Sequence, residues 1–221
     1  MVLGRERELE VLGRFVGDMA AGPSAALLEG SAGIGKTTLW LEALAMAEDA
    51  GSVVLSTRAS ESEARWSYAG RGDLLTGSVA AFPELPESQR RALEAALLRG
   101  DAPTTSPDQL AVSLAVLAVI RRLAEGPGIV LAIDDVQWLD ASTARVLSFV
   151  LRRLTTEPVA VIATLRVGSG APADPLGLDR AMPALVRIAV GPMPEDPLGR
   201  LLRERTDTEL PHPVITRLHT A

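Results

Sequence analysis

Three glycines and a lysine at fixed spacing constrain this chain more than any other feature. Gly30-Ser31-Ala32-Gly33-Ile34-Gly35-Lys36-Thr37 fits G-x-x-x-x-G-K-S/T at every fixed position. A loop of this kind wraps an anion so closely that the backbone N–H groups of Ser31, Ala32, Ile34 and their neighbours point inward. Side chains at the glycine positions would block that approach. Lys36 brings a compact positive charge suited to the β- and γ-phosphates of a polyphosphate. Thr37 offers a hydroxyl to Mg²⁺, and Thr38 lies within reach of an α-phosphate. The loop follows the apolar run at 24–29 and opens a helical pattern at 37–50, which aims the positive end of a helix dipole at the same anion.

The rest of the chain supplies a fold for such a loop. Residues 5–20 place Leu9, Leu12, Phe15, Val16 and Met19 on one face and predict an amphipathic helix, stopped by Gly22-Pro23. Further apolar runs at 52–58, 129–133, 159–165 and 185–190 predict strands. Helices are predicted near 87–99, from Ser106 as N-cap to about 125, and over 141–155 with Asp140 as cap. The 106–125 helix is apolar nearly all round before its Arg121-Arg122 pair and is expected to be buried between other elements. Apart from the helix near 87–99, residues 59–105, with Trp66 and Tyr68, are hard to place, and 167–177 is a Gly-, Pro- and Asp-rich loop. Five apolar runs alternating with helices predict an α/β three-layer sandwich around a parallel sheet. No linker divides residues 1–195, and a short polar helical stretch follows.

A phosphate cradle needs an acid for Mg²⁺ and a group that orients water. Asp134 ends the apolar run Ile129-Val130-Leu131-Ala132-Ile133 and suits the metal, while Asp135 beside it is the candidate general base. Both also suit a plain polar strand end. Trp138 is expected to pack in the core or a loop in preference to touching a ligand. In a parallel sheet the carboxyl ends of strands line the ligand crevice, so Thr164 and Arg166 face either the γ-phosphate or solvent.

Composition narrows the function. A net charge of −6 and a pI near 5.1 argue against direct nucleic-acid binding, which requires clustered Lys and Arg. Cysteine is absent, which removes thiolate chemistry, and His212 and His219 have no ligand-type neighbours at metal spacing. The charged N-terminus is unlike a signal peptide, and the apolar run at 110–120 is too short for a membrane helix, so a cytoplasmic protein is expected. A small-molecule kinase needs an arginine-rich lid, and 167–177 holds no arginine. The arginine pairs at 90–91, 121–122 and 152–153 suit solvated helix ends better than an arginine finger.

Leu3-Gly4-Arg5-Glu6 before a helix, GSAGIGKTTL, LAIDDVQWLD and ATLR stand in an order that resembles the nucleotide-binding domain of STAND-class AAA-like P-loop ATPases. The nearest likeness is to the N-terminal ATPase of large LuxR-type transcriptional regulators, with Arg71 standing where those carry a bulkier apolar residue. The resemblance implies a five-stranded sheet in the order 5-1-4-3-2, and ATP with Mg²⁺ as ligands. It further implies that Leu3 and Arg5 lie against the adenine and that Arg166 senses bound nucleotide. An ATP/ADP switch with slow hydrolysis follows, acting on a protein partner or on further domains. The same likeness makes 196–221 the start of a truncated C-terminal helical region without a helix-turn-helix. A nucleotide-holding interaction module that barely hydrolyses is the alternative.

Overall fold

In the computed structural model, residues 2–62, 74, 86–96, 108–168, 174–206 and 211–219 are described. Trp66, Tyr68, Arg71, Ser106 and the middle of the 167–177 loop lie outside them. The strands are β1 (Ser24–Gly30), β2 (Val53–Arg58), β3 (Ile129–Asp134), β4 (Val159–Arg166) and β5 (Ala184–Ala189). They form one five-stranded sheet in the order β2-β3-β4-β1-β5, parallel at every pairing. This is the expected order read from the other edge. It puts β1, β3 and β4 inside, and their burial on both faces explains why they read as continuous apolar runs.

The helices are α1 (Glu6–Asp18), α2 (Lys36–Asp49), α3 (Glu87–Ala96), α4 (Gln109–Ala124), α5 (Ala141–Leu151), α6 (Leu178–Ala181), α7 (Glu195–Thr206) and α8 (His212–His219). On one face of the sheet Ala26, Leu28, Val130, Ala132 and Ile162 pack with Leu12 of α1 and Leu39, Trp40 and Ala43 of α2. On the other, Ala25, Leu27, Leu131, Ile133 and Val161 pack with Val116 and Ile120 of α4 and Val146 and Val150 of α5. Trp40 also donates its indole N–H to the Ile162 carbonyl at 3.0 Å, pinning α2 to β4.

Two helix ends differ from the sequence expectation. α4 begins at Gln109 with Asp108 as its cap, accepting from the Leu110 N–H at 2.9 Å, so the carboxylate does what was assigned to Ser106. α4 is not buried all round either: Leu110 and Leu114 face outward. α5 stops at Leu151 instead of 155: the Arg153 and Leu154 N–H groups turn back to the Val150 and Leu151 carbonyls, and beyond them Glu157 takes over. Its Oε2 accepts from Thr155 N–H at 2.7 Å and Thr156 N–H at 3.1 Å, and its Oε1 from Arg121 Nε at 2.7 Å.

Burial opposes the charge on Glu157, yet these donors outweigh it and bring the carboxyl from 4.5 down to about 2. A carboxyl depressed in the folded state stabilises above its unfolded value and loses that contribution as pH falls through the folded one. Glu157→Ala is therefore expected to cost about 1 kcal/mol at pH 7, with the difference from wild type shrinking between pH 4.5 and 2 in urea melts.

α7 and α8 pack on each other at the chain's end, with Thr216 Oγ1 donating to Glu195 Oε2 at 3.3 Å. His212 is exposed and lies 3.7 Å from Glu195. Gly4 meets this region: at φ 69° a Cβ there would stand 2.5 Å from Pro197 Cβ, so the N-terminal segment runs against the start of α7. No described helix is long and apolar enough to cross a membrane.

Candidate functional site

The glycine loop joins β1 to α2 at the carboxyl edge of the sheet. Gly33 and Gly35 sit at φ 73° and 101°, in the left-handed region that glycine enters without a Cβ penalty, and Gly35 is the residue from which α2 starts. Gly30 is needed for space. A Cβ there would stand 2.7 Å from the Val190 carbonyl and 3.0 Å from Ile34 Cγ2. Val190 cannot step back easily, because its N–H is held by the Glu29 carbonyl at 2.7 Å. Gly30→Ala is thus expected to destabilise the domain by about 1–3 kcal/mol, read as a lower urea midpoint at unchanged slope.

Lys36 is buried, and its Nζ donates to the Gly30 carbonyl at 3.1 Å and the Ser31 carbonyl at 2.8 Å. Burial lowers its pKa from 10.5; the carboxylates of Asp135 and Asp134 oppose the shift, and Arg166 adds to it. The loop is also held from outside: Arg5, buried, donates to the Ile34 carbonyl at 2.8 Å and pairs with Glu8 at 3.0 Å.

Across from the loop, the ends of β3 and β4 carry a continuous polar chain. Thr37 Oγ1 donates to Asp134 Oδ2 at 2.9 Å, and Thr164 Oγ1 donates to Asp134 Oδ1 at 2.6 Å. The same Thr164 oxygen accepts the Asp135 N–H at 2.7 Å. Asp135 is left-handed at φ 54°, alone among the described non-glycine residues, as the chain turns into the 3-10 segment Val136–Trp138. Gln137 donates to Asp135 Oδ1 at 2.9 Å and accepts the Arg166 N–H at 3.1 Å.

A cleft of about 260 Å³ opens between these parts, with Ala32, Gly33, Gly35, Lys36 and Thr37 on one wall and Asp135, Trp138 and Arg166 on the other. A larger hollow of about 560 Å³, lined by Phe15, Pro23 and Pro183 among others, lies at the opposite end of β1 and away from this chemistry. The sequence-derived residues Lys36, Thr37, Asp134, Asp135 and Arg166 therefore converge. Thr37 and buried Asp134 supply the oxygen donors a hard divalent cation takes. The loop glycines and Lys36 fit a polyphosphate. Trp138 stands half-buried on the cleft wall, not in the core. Leu3 and Arg5 are not on that wall, and Thr38 is exposed beside it. Sequence reasoning missed the bridging by Gln137 and the double use of the Thr164 hydroxyl. The only local signal was the place of Gln137 just past the end of β3 and of Thr164 near the end of β4.

Solved structures share the fold. The Aeropyrum pernix ORC2 protein, in ADPNP–ADP complexes, superposes with a TM-score of 0.56 at 17% identity over 92% of this chain and 52% of its own. The STAND protein with a tetratricopeptide repeat sensor from Pyrococcus horikoshii gives 0.51 at 17% identity, over 99% of this chain and 27% of its own. The replication initiator DnaA bound to AMPPCP and single-stranded DNA gives 0.52 at 15% identity, over 99% and 57%. The chain thus spans about half the length of two of these proteins and about a quarter of the third. No curated protein sequence matches it. The AAA ATPase domain family matches residues 1–162, and with the sheet order and the loop described above the chain belongs to that family.

Proposed function

We propose that the chain is an ATP- and Mg²⁺-binding regulatory NTPase module with slow hydrolysis, akin to the switch domain of LuxR-type transcriptional regulators. What supports this most is the hydrogen bond from Thr37 to Asp134, which joins the glycine loop to a strand end 97 residues away. That pair is the oxygen set that a magnesium–phosphate ligand requires. Two structural neighbours were solved with ATP analogues, which agrees with the choice of ligand.

In this proposal residues 30–38 cradle the phosphates, Lys36 contacts the β- and γ-phosphates, and Thr37 and Asp134 hold Mg²⁺. The ion supplies charge neutralisation on the phosphates when bound. Asp135 orients the attacking water, and Arg166 meets the γ-phosphate from β4. Arg5 acts by holding the loop through Ile34, and Leu3 lies toward the adenine. Residues 1–195 form the nucleotide-binding unit. Residues 196–221 begin a helical region that passes the nucleotide state to a protein partner or further domains in the cytoplasm.

The test is a titration of the protein with a fluorescent ATP analogue, with Mg²⁺ and with EDTA, alongside phosphate release. Saturable, Mg²⁺-dependent binding with slow release is expected. Binding with no release would convert the protein into a nucleotide-holding interaction module. No binding by a folded protein would sink the proposal.

A further inference from the structure

The turn after β3 contains an amide that spans two strand ends, and none of the motifs above gives it a role. We propose that Gln137 is a positioning residue for hydrolysis: it fixes the Asp135 carboxylate so that one oxygen is turned to water in the cleft. This rests on the reading of Asp135 as the water-orienting group.

Both ends of the Gln137 side chain are used. Nε2 donates to Asp135 Oδ1 at 2.9 Å, and Oε1 accepts the Arg166 N–H at 3.1 Å. Asp135 is anchored a second time through its backbone, whose N–H lies on Thr164 Oγ1 at 2.7 Å. The two anchors run to the same strand, β4, so the carboxylate is referenced to Arg166 and Thr164 and not to its own flexible turn. With Oδ1 held by Gln137, Oδ2 accepts no hydrogen bond among the described residues, while Asp135 shares the cleft wall with Arg166 opposite Lys36. Oδ2 is the atom left to accept from water. An aspartate reaches less far than a glutamate, so its direction matters more, and a side chain that sets it acts on turnover instead of binding. Gln137 also ties Asp135 to the backbone that carries Arg166, so a shift of the β4 end is transmitted to the carboxylate.

Two variants separate this role from a structural one. Gln137→Met keeps the length and loses both hydrogen bonds; Gln137→Glu keeps an acceptor for the Arg166 N–H and loses the donor to Asp135. Single-turnover phosphate release, Kd for Mg²⁺–ATP and melting temperature are measured for each. We expect kcat to fall about tenfold or more in both, with Kd within about twofold in the Met variant and melting lowered by only a few degrees. In an Asp135→Asn background, Gln137→Met should cause no further loss, since it acts through the missing carboxylate. Wild-type turnover in either variant, loss in the Met variant alone, or multiplying losses in the double variant would overturn the role. Failure of the underlying reading looks different: the wild type releases no phosphate, or Asp135→Asn turns over as wild type, and the inference then falls with it.

Discussion

Asp135→Asn is expected to lower kcat for ATP by about 100-fold or more while Kd stays within about twofold. The amide keeps the shape of the side chain, and its oxygen can still accept from Gln137, so the turn after β3 has no reason to move. What is lost is the negative charge and basicity that Oδ2 presents to water. The Asp135 N–H bond to Thr164 is a backbone bond and survives the change. Single-turnover phosphate release checks kcat, and competition titration checks Kd. A variant that hydrolyses at the wild-type rate would remove Asp135 from the mechanism.

The second large effect is on binding. Lys36→Ala is expected to weaken Mg²⁺–ATP binding by about 100-fold, about 2.7 kcal/mol, through loss of charge-assisted hydrogen bonds to phosphate. In the structure Nζ lies on the Gly30 and Ser31 carbonyls, so binding exchanges those two acceptors for phosphate oxygens. The net gain is smaller than the gross attraction for this reason. The lowered Lys36 pKa adds a pH signature. Phosphate favours the charged ammonium, so affinity is full below the lowered pKa and declines as pH rises through it, at a pH below 10.5. Isothermal titration from pH 7 upward follows this, with proton uptake on binding where the free protein has lost the proton. Affinity of Lys36→Ala within threefold of wild type would refute the cradle assignment.

The sequence carried the fold well because each strand is a local run of apolar residues. All five runs begin and end within one residue of the expected bounds, and the glycine loop was legible at every position. What local pattern could not carry was partnership. Asp134 was legible as an acid at a strand end, but its bonds to Thr37 and Thr164 join residues 97 and 30 positions away. Thr164 was expected to face either the γ-phosphate or solvent; in the structure its hydroxyl is committed to Asp134 and to the Asp135 N–H. Asp108 caps α4 at its described start, while Ser106, the cap expected from the sequence, lies outside the described residues. The end of α5 was misplaced because the chain tightens there, with Arg153 and Leu154 N–H on the Val150 and Leu151 carbonyls, and Glu157 holds Thr155 and Thr156 N–H outside the helical pattern.

The sheet divides the apolar interior, but it does not make two independent bodies. Along β1, Ala25 and Leu27 belong to one layer and Ala26 and Leu28 to the other, and β3 and β4 alternate in the same way. Neither layer can melt while the other keeps its strands, so the domain is built to lose order in one cooperative transition. A ligand seated at the rim would then protect residues far from it as strongly as those it touches. At a hundred times Kd that protection amounts to about 2.7 kcal/mol over the whole unit, so amide exchange in β3 and β4 would slow together with exchange in the glycine loop.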